Sequence, residues 1–374
     1  MRIGFDAKRA FFNFSGLGNY SRTLLRSLAQ FYPQNNYFLY TPKLNHYPET
    51  DFLFNSNFQV RTAPQYIPGS IWRSRLMASG LKRDQLDIYH GLSHELPIGL
   101  RKTGIFSIVT IHDLIFLRFP QLYPAIDRKI YLAKIRQACK NAQIIIAISE
   151  QTKRDIRQFI GVPEEKIKVV YQSCSPAFHP NHSVQNIRDI RMKYGLPEKY
   201  LLYVGTVEER KNLLLIAKAL AHLPVEFKCV AIGKKKEYFT AVKDFLQKEK
   251  LANRMVFPEE VHYGDLPLIY GGAQIFIYPS RFEGFGIPVL EAISSGIPVI
   301  AAKGSCLEEA GGPGSVYVDP DDEQALAHGV LHIADSAGIS GEMSRKGLRF
   351  AENFSLQNTA SALMNTYQLS QGNS

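Results

Sequence analysis

Short apolar runs rich in β-branched and aromatic residues alternate with amphipathic stretches along most of this chain. The alternation is typical of parallel α/β architecture, because each strand of a parallel sheet needs a crossover, usually a helix, before the next strand. The runs predict strands at residues 2–5, 37–40, 58–61, 88–90, 107–111, 144–148, 168–171, 200–204, 228–232, 254–257, 275–278, 298–301 and 316–318. The predicted fold class is therefore α/β.

The chain is long enough for two domains. At 374 residues it exceeds the length at which one hydrophobic core stops growing. Residues 175–183 combine two prolines with polar residues and separate two series of predicted strands. We predict Rossmann-like domains at 1–180 and 181–354, with the helical segment 355–374 packing back on the first. Ligands of such sheets bind at the carboxyl ends of the strands.

The composition limits the kinds of binding partner and the cellular compartment that we expect. A formal net charge of +10 favours anionic partners: nucleotide, nucleic acid or an anionic membrane surface. The hydrophobic fraction of 45% excludes disordered and fibrous classes. The four cysteines form no CxxC or Cys/His cluster, which indicates reduced thiols. With no signal-peptide pattern and no apolar run long enough to span a bilayer, we expect a cytoplasmic protein.

A glycine-rich turn follows the first predicted strand. Gly16 and Gly18 open a helix whose backbone amides suit a pyrophosphate, although a plain helix cap is the alternative. A dehydrogenase is disfavoured, because its glycines should follow the strand directly and about ten residues separate Phe5 from Gly16. The second strand also ends without the carboxylate that such an enzyme uses for the ribose.

Two segments of the second half carry charged residues after strands. Arg210 and Lys211 can neutralise a diphosphate; a solvated helix start is the alternative, but cations there are unfavourable without an anion. Farther on, a glycine-flanked loop presents Glu283, and Glu291 lies in the first turn or so of the next helix. Dipole compensation alone would explain Glu291 but not Glu283.

Residues 283–292, EGFGIPVLEA, resemble the donor-site segment of glycosyltransferase family 4, with seven residues between Glu283 and Glu291. Family-like stretches also occur at 15–22, 109–120, 147–156, 205–213 and 295–301, so the resemblance extends over most of the chain. It implies a retaining enzyme of the GT-B fold, with two Rossmann-like domains facing across a cleft.

The resemblance also assigns roles to residues. Glu291 would bind the ribose, Glu283 the transferred sugar, and His112 would lie near the reacting carbon. The implied catalytic residues are His112, Arg210, Lys211 and Glu283. The implied donor-binding residues are Gly16, Gly18, Gly284, Phe285, Gly286, Ile287 and Glu291. Thr206 stands where many members have Arg or another polar residue, so the phosphate clamp should rest on the two cations.

The implied reaction moves a hexose, with mannose as first choice, from a GDP- or UDP-sugar to a saccharide or lipid-linked saccharide in surface polysaccharide synthesis. Neither a metal nor a cofactor is expected. The nearest alternative is a GT-B-like nucleotide-sugar epimerase. A glycoside hydrolase is disfavoured, because it would need two carboxyl groups flanking the scissile bond, whereas Glu283 and Glu291 follow the same strand. A nucleic-acid-binding protein would explain the charge, but the chain has no basic-aromatic module.

Residues 71–83 combine the single tryptophan, Trp72, with the cations Arg73, Arg75, Lys82 and Arg83. Two interpretations stay open. The segment is either a solvated helix with its apolar face in the core or an interfacial helix on anionic lipid at the inner face of the membrane. The second would bring the enzyme to a lipid-linked acceptor.

Overall fold

The computed structural model describes residues 1–13 and 15–371 and forms two compact units. Unit 1 comprises Met1–Ser173 together with the segment from Ser355 onward, and unit 2 comprises Cys174–Phe354. The boundary thus follows Ser173 rather than residue 180. The proline-containing segment belongs to unit 2 because the ring of Phe178 packs edge-on against that of Tyr270, with centroids 5.2 Å apart.

Unit 1 is built on a seven-stranded parallel sheet in the order β3-β2-β1-β4-β5-β6-β7. Its strands are β1 (Arg2–Asp6), β2 (Asn36–Thr41), β3 (Phe58–Thr62), β4 (Ile88–Gly91), β5 (Phe106–Ile111), β6 (Ile144–Ala147) and β7 (Ile167–Val169). Phe5 of β1 pairs with Leu39 on one side and His90 on the other. The strand order therefore reverses between β1 and β4, which is where open α/β sheets bind ligands.

The helices of unit 1 cover both faces of this sheet. They are α1 (Lys8–Phe12), α2 (Gly16–Phe31), α3 (Gly69–Ile71), α4 (Met77–Arg83), α5 (Ile115–Arg118), α6 (Ala125–Asn141) and α7 (Glu150–Asp155). On α2 the side chains of Tyr20, Leu24 and Leu28, which recur every four residues, are buried. A π-helical turn, Trp72–Leu76, joins α3 to α4.

Unit 2 is a six-stranded parallel sheet in the order β10-β9-β8-β11-β12-β13. Its strands are β8 (Leu201–Val204), β9 (Cys229–Ile232), β10 (Met255–Val256), β11 (Ile275–Tyr278), β12 (Val299–Ala302) and β13 (Val316–Val318). Its helices are α8 (Val184–Tyr194), α9 (Leu213–Ala221), α10 (Phe239–Lys248), α11 (Leu266–Gly271), α12 (Ile287–Ser294), α13 (Leu307–Gly311), α14 (Glu323–Ala334) and α15 (Ala337–Ala351). Here the order reverses between β8 and β11.

The last helix, α16 (Leu356–Gln368), returns to unit 1. Leu363, Met364 and Tyr367 enter the core that contains Phe5 and Leu28. Within the described ranges, no helix combines the length and the apolar composition needed to span a membrane.

Candidate active site

At the reversal point of unit 2, a charged cluster joins the loop after β8 to the loop after β11. One oxygen of Glu283, Oε1, lies 2.9 Å from Arg210 Nη1 and 3.4 Å from Lys211 Nζ. The hydroxyls of Tyr278 and Ser280 donate to the same oxygen at 2.9 and 2.8 Å. We call these five residues the Glu283 cluster. The predicted Arg210, Lys211 and Glu283 are thus brought together.

Further bonds fix the two loops to each other. The backbone N–H of Arg281 donates to the carbonyl of Arg210 at 2.9 Å, and the Arg210 guanidinium donates to the carbonyl of Phe282. Glu208 accepts a second bond from Arg210, at 2.8 Å. The guanidinium is therefore held in position before any ligand arrives.

The cluster keeps Glu283 ionised although it is buried. Burial opposes ionisation, but the charges of Lys211 and Arg210 overcome it and lower the pKa of Glu283 to about 2. Among the described residues, all polar contacts of this side chain fall on Oε1. Oε2 is therefore the oxygen available to a ligand hydroxyl.

Glu291 provides a second carboxyl group in the same unit. It lies on α12, which begins at Ile287, so it occupies the second helical turn rather than the first. Its side chain is buried and accepts one hydrogen bond, from the Tyr270 hydroxyl at 3.1 Å. Burial raises the pKa of Glu291 to about 8. Dipole compensation at a helix start therefore does not explain Glu291, since that effect is confined to the first turn.

The predicted residues 284–287 connect the two glutamates. Gly286 has φ +112°, and a Cβ there would lie 2.7 Å from Leu307 Cδ2, so glycine is required. Phe285 is buried against Phe354, with ring centroids 5.5 Å apart. Gly284 precedes it, and Ile287 opens α12. This places the start of a helix, where backbone amides favour an anion, just after Glu283.

In unit 1, His112 follows β5 and is buried. Because a carbonyl only accepts, the contact of Nε2 with the Leu92 oxygen at 2.8 Å puts a proton on Nε2. Burial, assisted by the neighbouring His94, lowers the pKa of His112 to about 3. The ring is therefore neutral near pH 7 and its Nδ1 can accept a hydrogen bond.

A buried polar network supports this histidine. The ring of Tyr20 stands edge-on to His112 with centroids 4.6 Å apart, and its hydroxyl lies 3.1 Å from Thr110 Oγ1. His90 connects Thr110, at 2.8 Å, to the hydroxyl of Tyr367 on α16, at 2.7 Å. The Tyr20 ring that contacts His112 is thus held in place by buried hydrogen bonds.

In the glycine turn before α2, the Gly18 amide is hydrogen-bonded within the turn itself. The Gly18 amide donates within the turn, to Asn13 Oδ1 at 3.2 Å and to the Ser15 carbonyl at 3.0 Å. A Cβ on Gly18 would lie 1.6 Å from the backbone carbonyl oxygen of Asn13. The Gly18 amide therefore already has two acceptors in this structure, and its contact with a donor phosphate stays a prediction. At Gly16, a Cβ would meet no described residue within 4 Å beyond its chain neighbours and the backbone of its own helix.

Several residues of these sites were missed from the sequence. His94 lies with its ring centroid 5.3 Å from that of His112, at φ +61°, and its Nδ1 is buried without a partner among the described residues. We call His90, His94 and His112 the histidine cluster. Tyr278 and Ser280 could have been found by their closeness to Glu283 in the sequence. Nothing in the sequence pointed to His94.

In the structure, the tryptophan of residues 71–83 belongs to the core of unit 1. Trp72 is buried beside Tyr40, with ring centroids 6.5 Å apart, so it does not face outward. Arg73 forms ion pairs with Asp6 and Glu95. The remaining cations are exposed.

Asp319 and Asp321 of unit 2 form an Asp-x-Asp pair, and both carboxylates are paired with cations. Their partners are Lys303, at 3.3 Å, and Arg281, at 2.5 Å. In the part of the chain that the structure describes, no three His, Cys, Asp or Glu side chains are grouped as metal ligands would be.

The chain was compared with known proteins. The Glycosyltransferase Family 4 model matches residues 14–176, and the Glycosyl transferases group 1 model matches residues 186–348. The O-antigen chain mannosyltransferase B of Escherichia coli is 29% identical over 77% of this chain and 76% of its own length. The O-antigen chain mannosyltransferase RfbU of Salmonella typhimurium is 26% identical over 64% of this chain and 63% of its own.

Among solved structures, Anabaena HepE in complex with UDP-glucose superposes with a TM-score of 0.75 and 17% identity, over 99% of this chain and 100% of HepE. This likeness shows the fold, which is GT-B as predicted. The first match falls almost entirely in unit 1 and the second in unit 2, so each unit matches a glycosyltransferase model. The chain belongs to the family 4, group 1 glycosyltransferases.

Proposed function

We propose that this glycosyltransferase moves a hexose, mannose first, from a GDP- or UDP-sugar to a saccharide or lipid-linked saccharide in surface polysaccharide synthesis. The observation that carries the proposal is the Glu283 cluster, because it holds two cations ready at a strand end next to a helix start. The names of the two relatives, both O-antigen mannosyltransferases, support the sugar and the pathway. The UDP-glucose bound to HepE supports a nucleotide-sugar donor.

In this proposal unit 2 binds the donor. Glu291 accepts the ribose hydroxyls, and the amides of residues 284–287 contact the sugar and phosphates. Arg210 and Lys211 bind the diphosphate and stabilise the negative charge that develops on it as the sugar–phosphate bond breaks. Glu283 holds both cations through Oε1 and accepts a sugar hydroxyl on Oε2.

Unit 1 supplies His112 and binds the acceptor. Because His112 is neutral, it accepts a hydrogen bond from a sugar hydroxyl without repelling the developing positive charge of the ring. The acceptor oxygen bonds to the anomeric carbon as the bond to the diphosphate breaks. Its proton goes to a phosphate oxygen, and the diphosphate leaves. The resemblance to retaining enzymes supports attack by the acceptor on the same face of the sugar from which the diphosphate leaves.

We propose that neither a metal nor a cofactor is needed, since Arg210 and Lys211 supply the charge that a divalent ion would supply elsewhere. Transfer should therefore be equally fast with and without EDTA. Loss of activity in EDTA that a divalent ion restores would contradict this proposal.

We also propose that the protein works in the cytoplasm, at the inner face of the membrane. The exposed Ile71 and Leu76 lie beside the exposed Arg75, a combination that suits an anionic lipid surface. Co-sedimentation with anionic liposomes should decrease when Arg75, Lys82 and Arg83 are replaced by Gln. Unchanged co-sedimentation would exclude this membrane contact.

The central experiment combines donor screening with product analysis. Thermal-shift measurements with UDP, GDP and their sugars should identify the base, since a ligand at 100 times its Kd adds about 2.7 kcal/mol. NMR of the transferred sugar should show the anomeric configuration of the donor. Epimerisation of the donor without an acceptor would instead identify the epimerase.

A further inference from the structure

Unit 1 contains a large cavity that the donor chemistry does not use. Its volume is about 1240 Å³. Its walls include Asp6, at the end of β1, and Glu95, a few residues after β4. The cavity therefore opens at the carboxyl ends of the two strands between which the order reverses, the usual position of a ligand site in such a sheet.

The inner wall is a preformed ionic network. Arg73 lies between the two carboxylates, with Nε 3.5 Å from Asp6 Oδ2 and a second ion pair to Glu95. Lys134 also pairs with Glu95, at 2.9 Å. Side chains held in this way present a fixed set of donors and acceptors, as recognition of sugar hydroxyls requires.

One polar group in the wall has no partner. Tyr89 is 0% exposed and lines the cavity, and its hydroxyl makes no hydrogen bond to any described residue. Buried polar groups in folded proteins are nearly always paired, so each exception calls for an explanation such as a ligand or an ordered water. A ligand hydroxyl that enters the cavity would complete this bond.

The lining of the cavity carries an excess of positive charge. The lining residues Lys8, Arg9 and Lys43 have no carboxylate within 4.0 Å among the described residues. Burial and the nearby charge of Arg73 both lower the pKa of Lys8. A neighbourhood that disfavours another positive charge favours a bound anion.

We infer that this cavity binds the acceptor and that the acceptor is an anionic saccharide. Sugar hydroxyls contact Tyr89 and the Arg73 network, and a phosphate or carboxylate contacts Lys8, Arg9 and Lys43. That the bound saccharide is the acceptor rests on the proposed function. That the cavity binds an anionic saccharide does not. The anionic group is either the diphosphate of a lipid carrier or the carboxylate of an acidic sugar.

The single tryptophan gives a signal confined to this unit. Trp72 is buried and directly precedes the cavity residue Arg73, so its fluorescence should report occupancy. Three probes are titrated into the full chain: methyl α-mannoside, methyl glucuronide, and mannosyl diphosphate with a citronellyl chain. At least one anionic probe should bind roughly tenfold more tightly than the neutral one, the gain expected from one charged hydrogen bond. The tighter of the two identifies the source of the anion.

Two variants and one control locate the binding. Lys8→Gln combined with Lys43→Gln should weaken the anionic probe roughly tenfold and leave the neutral probe unchanged. Tyr89→Phe should weaken all probes about fivefold, through loss of one neutral hydrogen bond. The control is Lys168→Gln, on the exposed side of β7. Equal affinity for neutral and anionic probes would overturn the inference.

The outcomes separate this inference from the proposed function. If the wild-type chain binds no nucleotide but Trp72 responds to the anionic probe, the proposed function fails and the saccharide site stands. If transfer occurs and the acceptor KM is unchanged in the double lysine variant, the cavity inference alone fails.

Discussion

The Glu283 cluster and the histidine cluster each lie near the carboxyl ends of strands in a parallel sheet, yet they hold opposite kinds of groups. In unit 2 a buried carboxylate stays ionised because two cations contact it. In unit 1 burial keeps His90, His94 and His112 neutral and lowers their pKa values to about 3, 4 and 3. Fixed positive charges suit an anionic leaving group, whereas a neutral imidazole can accept a hydrogen bond without adding charge. The predictions that follow test this division.

The largest effect should come from breaking the Glu283 cluster. Arg210→Ala removes a positioned donor to the diphosphate and should lower kcat roughly 10²–10³-fold. Single-turnover transfer from the nucleotide-sugar measures the effect. The matched control is Arg281→Ala, because Arg281 lies two residues before Glu283 and its side chain forms an ion pair with the exposed Asp321. Such pairs contribute about 0–1 kcal/mol, so this variant should stay within about fivefold of wild type.

Replacing a member of the histidine cluster should lower the transfer rate less than Arg210→Ala does. His112→Ala removes one acceptor of a sugar hydroxyl, and a loss of about 1–3 kcal/mol corresponds to roughly 5- to 150-fold in rate. Because the pKa of His112 is about 3, wild type and variant should have parallel pH–rate profiles between about pH 5 and 8. His222→Ala, an exposed histidine, serves as control. An acid limb present only in the wild type would contradict a neutral His112.

A pH dependence should instead come from Glu291. Ribose hydroxyls donate to the ionised carboxylate, and the pKa of about 8 means that this form is in the minority at pH 7. Nucleotide affinity should therefore rise roughly tenfold between about pH 7 and 9. Calorimetric titration of the nucleoside diphosphate measures it.

Two variants check the origin of this pH dependence. The hydrogen bond from Tyr270 lowers the pKa of Glu291, so Tyr270→Phe should shift the profile to higher pH. Glu291→Gln should abolish the dependence and weaken binding at every pH. A profile of wild-type shape in Glu291→Gln would assign the titration to another group.

The smallest effect concerns stability alone. Tyr367→Phe leaves Nδ1 of the buried His90 without its partner, which should lower the free energy of unfolding of unit 1 by about 1–3 kcal/mol. Urea denaturation measures the change, and Tyr66→Phe, at a residue 86% exposed, is the control. Nucleotide affinity should not change, because Tyr367 lies outside unit 2.

The sequence predicted the two sheets well because the strands that build them are buried. Runs such as 275–278 and 316–318 end where the structure ends them, since an apolar run stops where the chain leaves the core. The donor segment was predictable for a different reason: its glutamates and glycines are close together in the sequence.

Features set by distant contacts were not predictable. The partner of Glu291 is Tyr270, on another helix. The burial of Trp72 depends on Tyr40 of β2, so a pattern that also suits a membrane helix could not decide it. The Gly18 amide is bonded to Asn13 by the local turn, a detail of geometry that composition does not encode.

The return of α16 to unit 1 has a consequence for biosynthesis. Domains generally fold from the amino terminus onward as the ribosome delivers them. Here Leu363 and Tyr367 complete the core of the unit that was begun first, while unit 2 is one continuous stretch of chain. On the ribosome, unit 2 can therefore finish folding before unit 1. A nascent chain released before residue 356 would expose the apolar groove that α16 fills, and such fragments should be removed by cellular proteases.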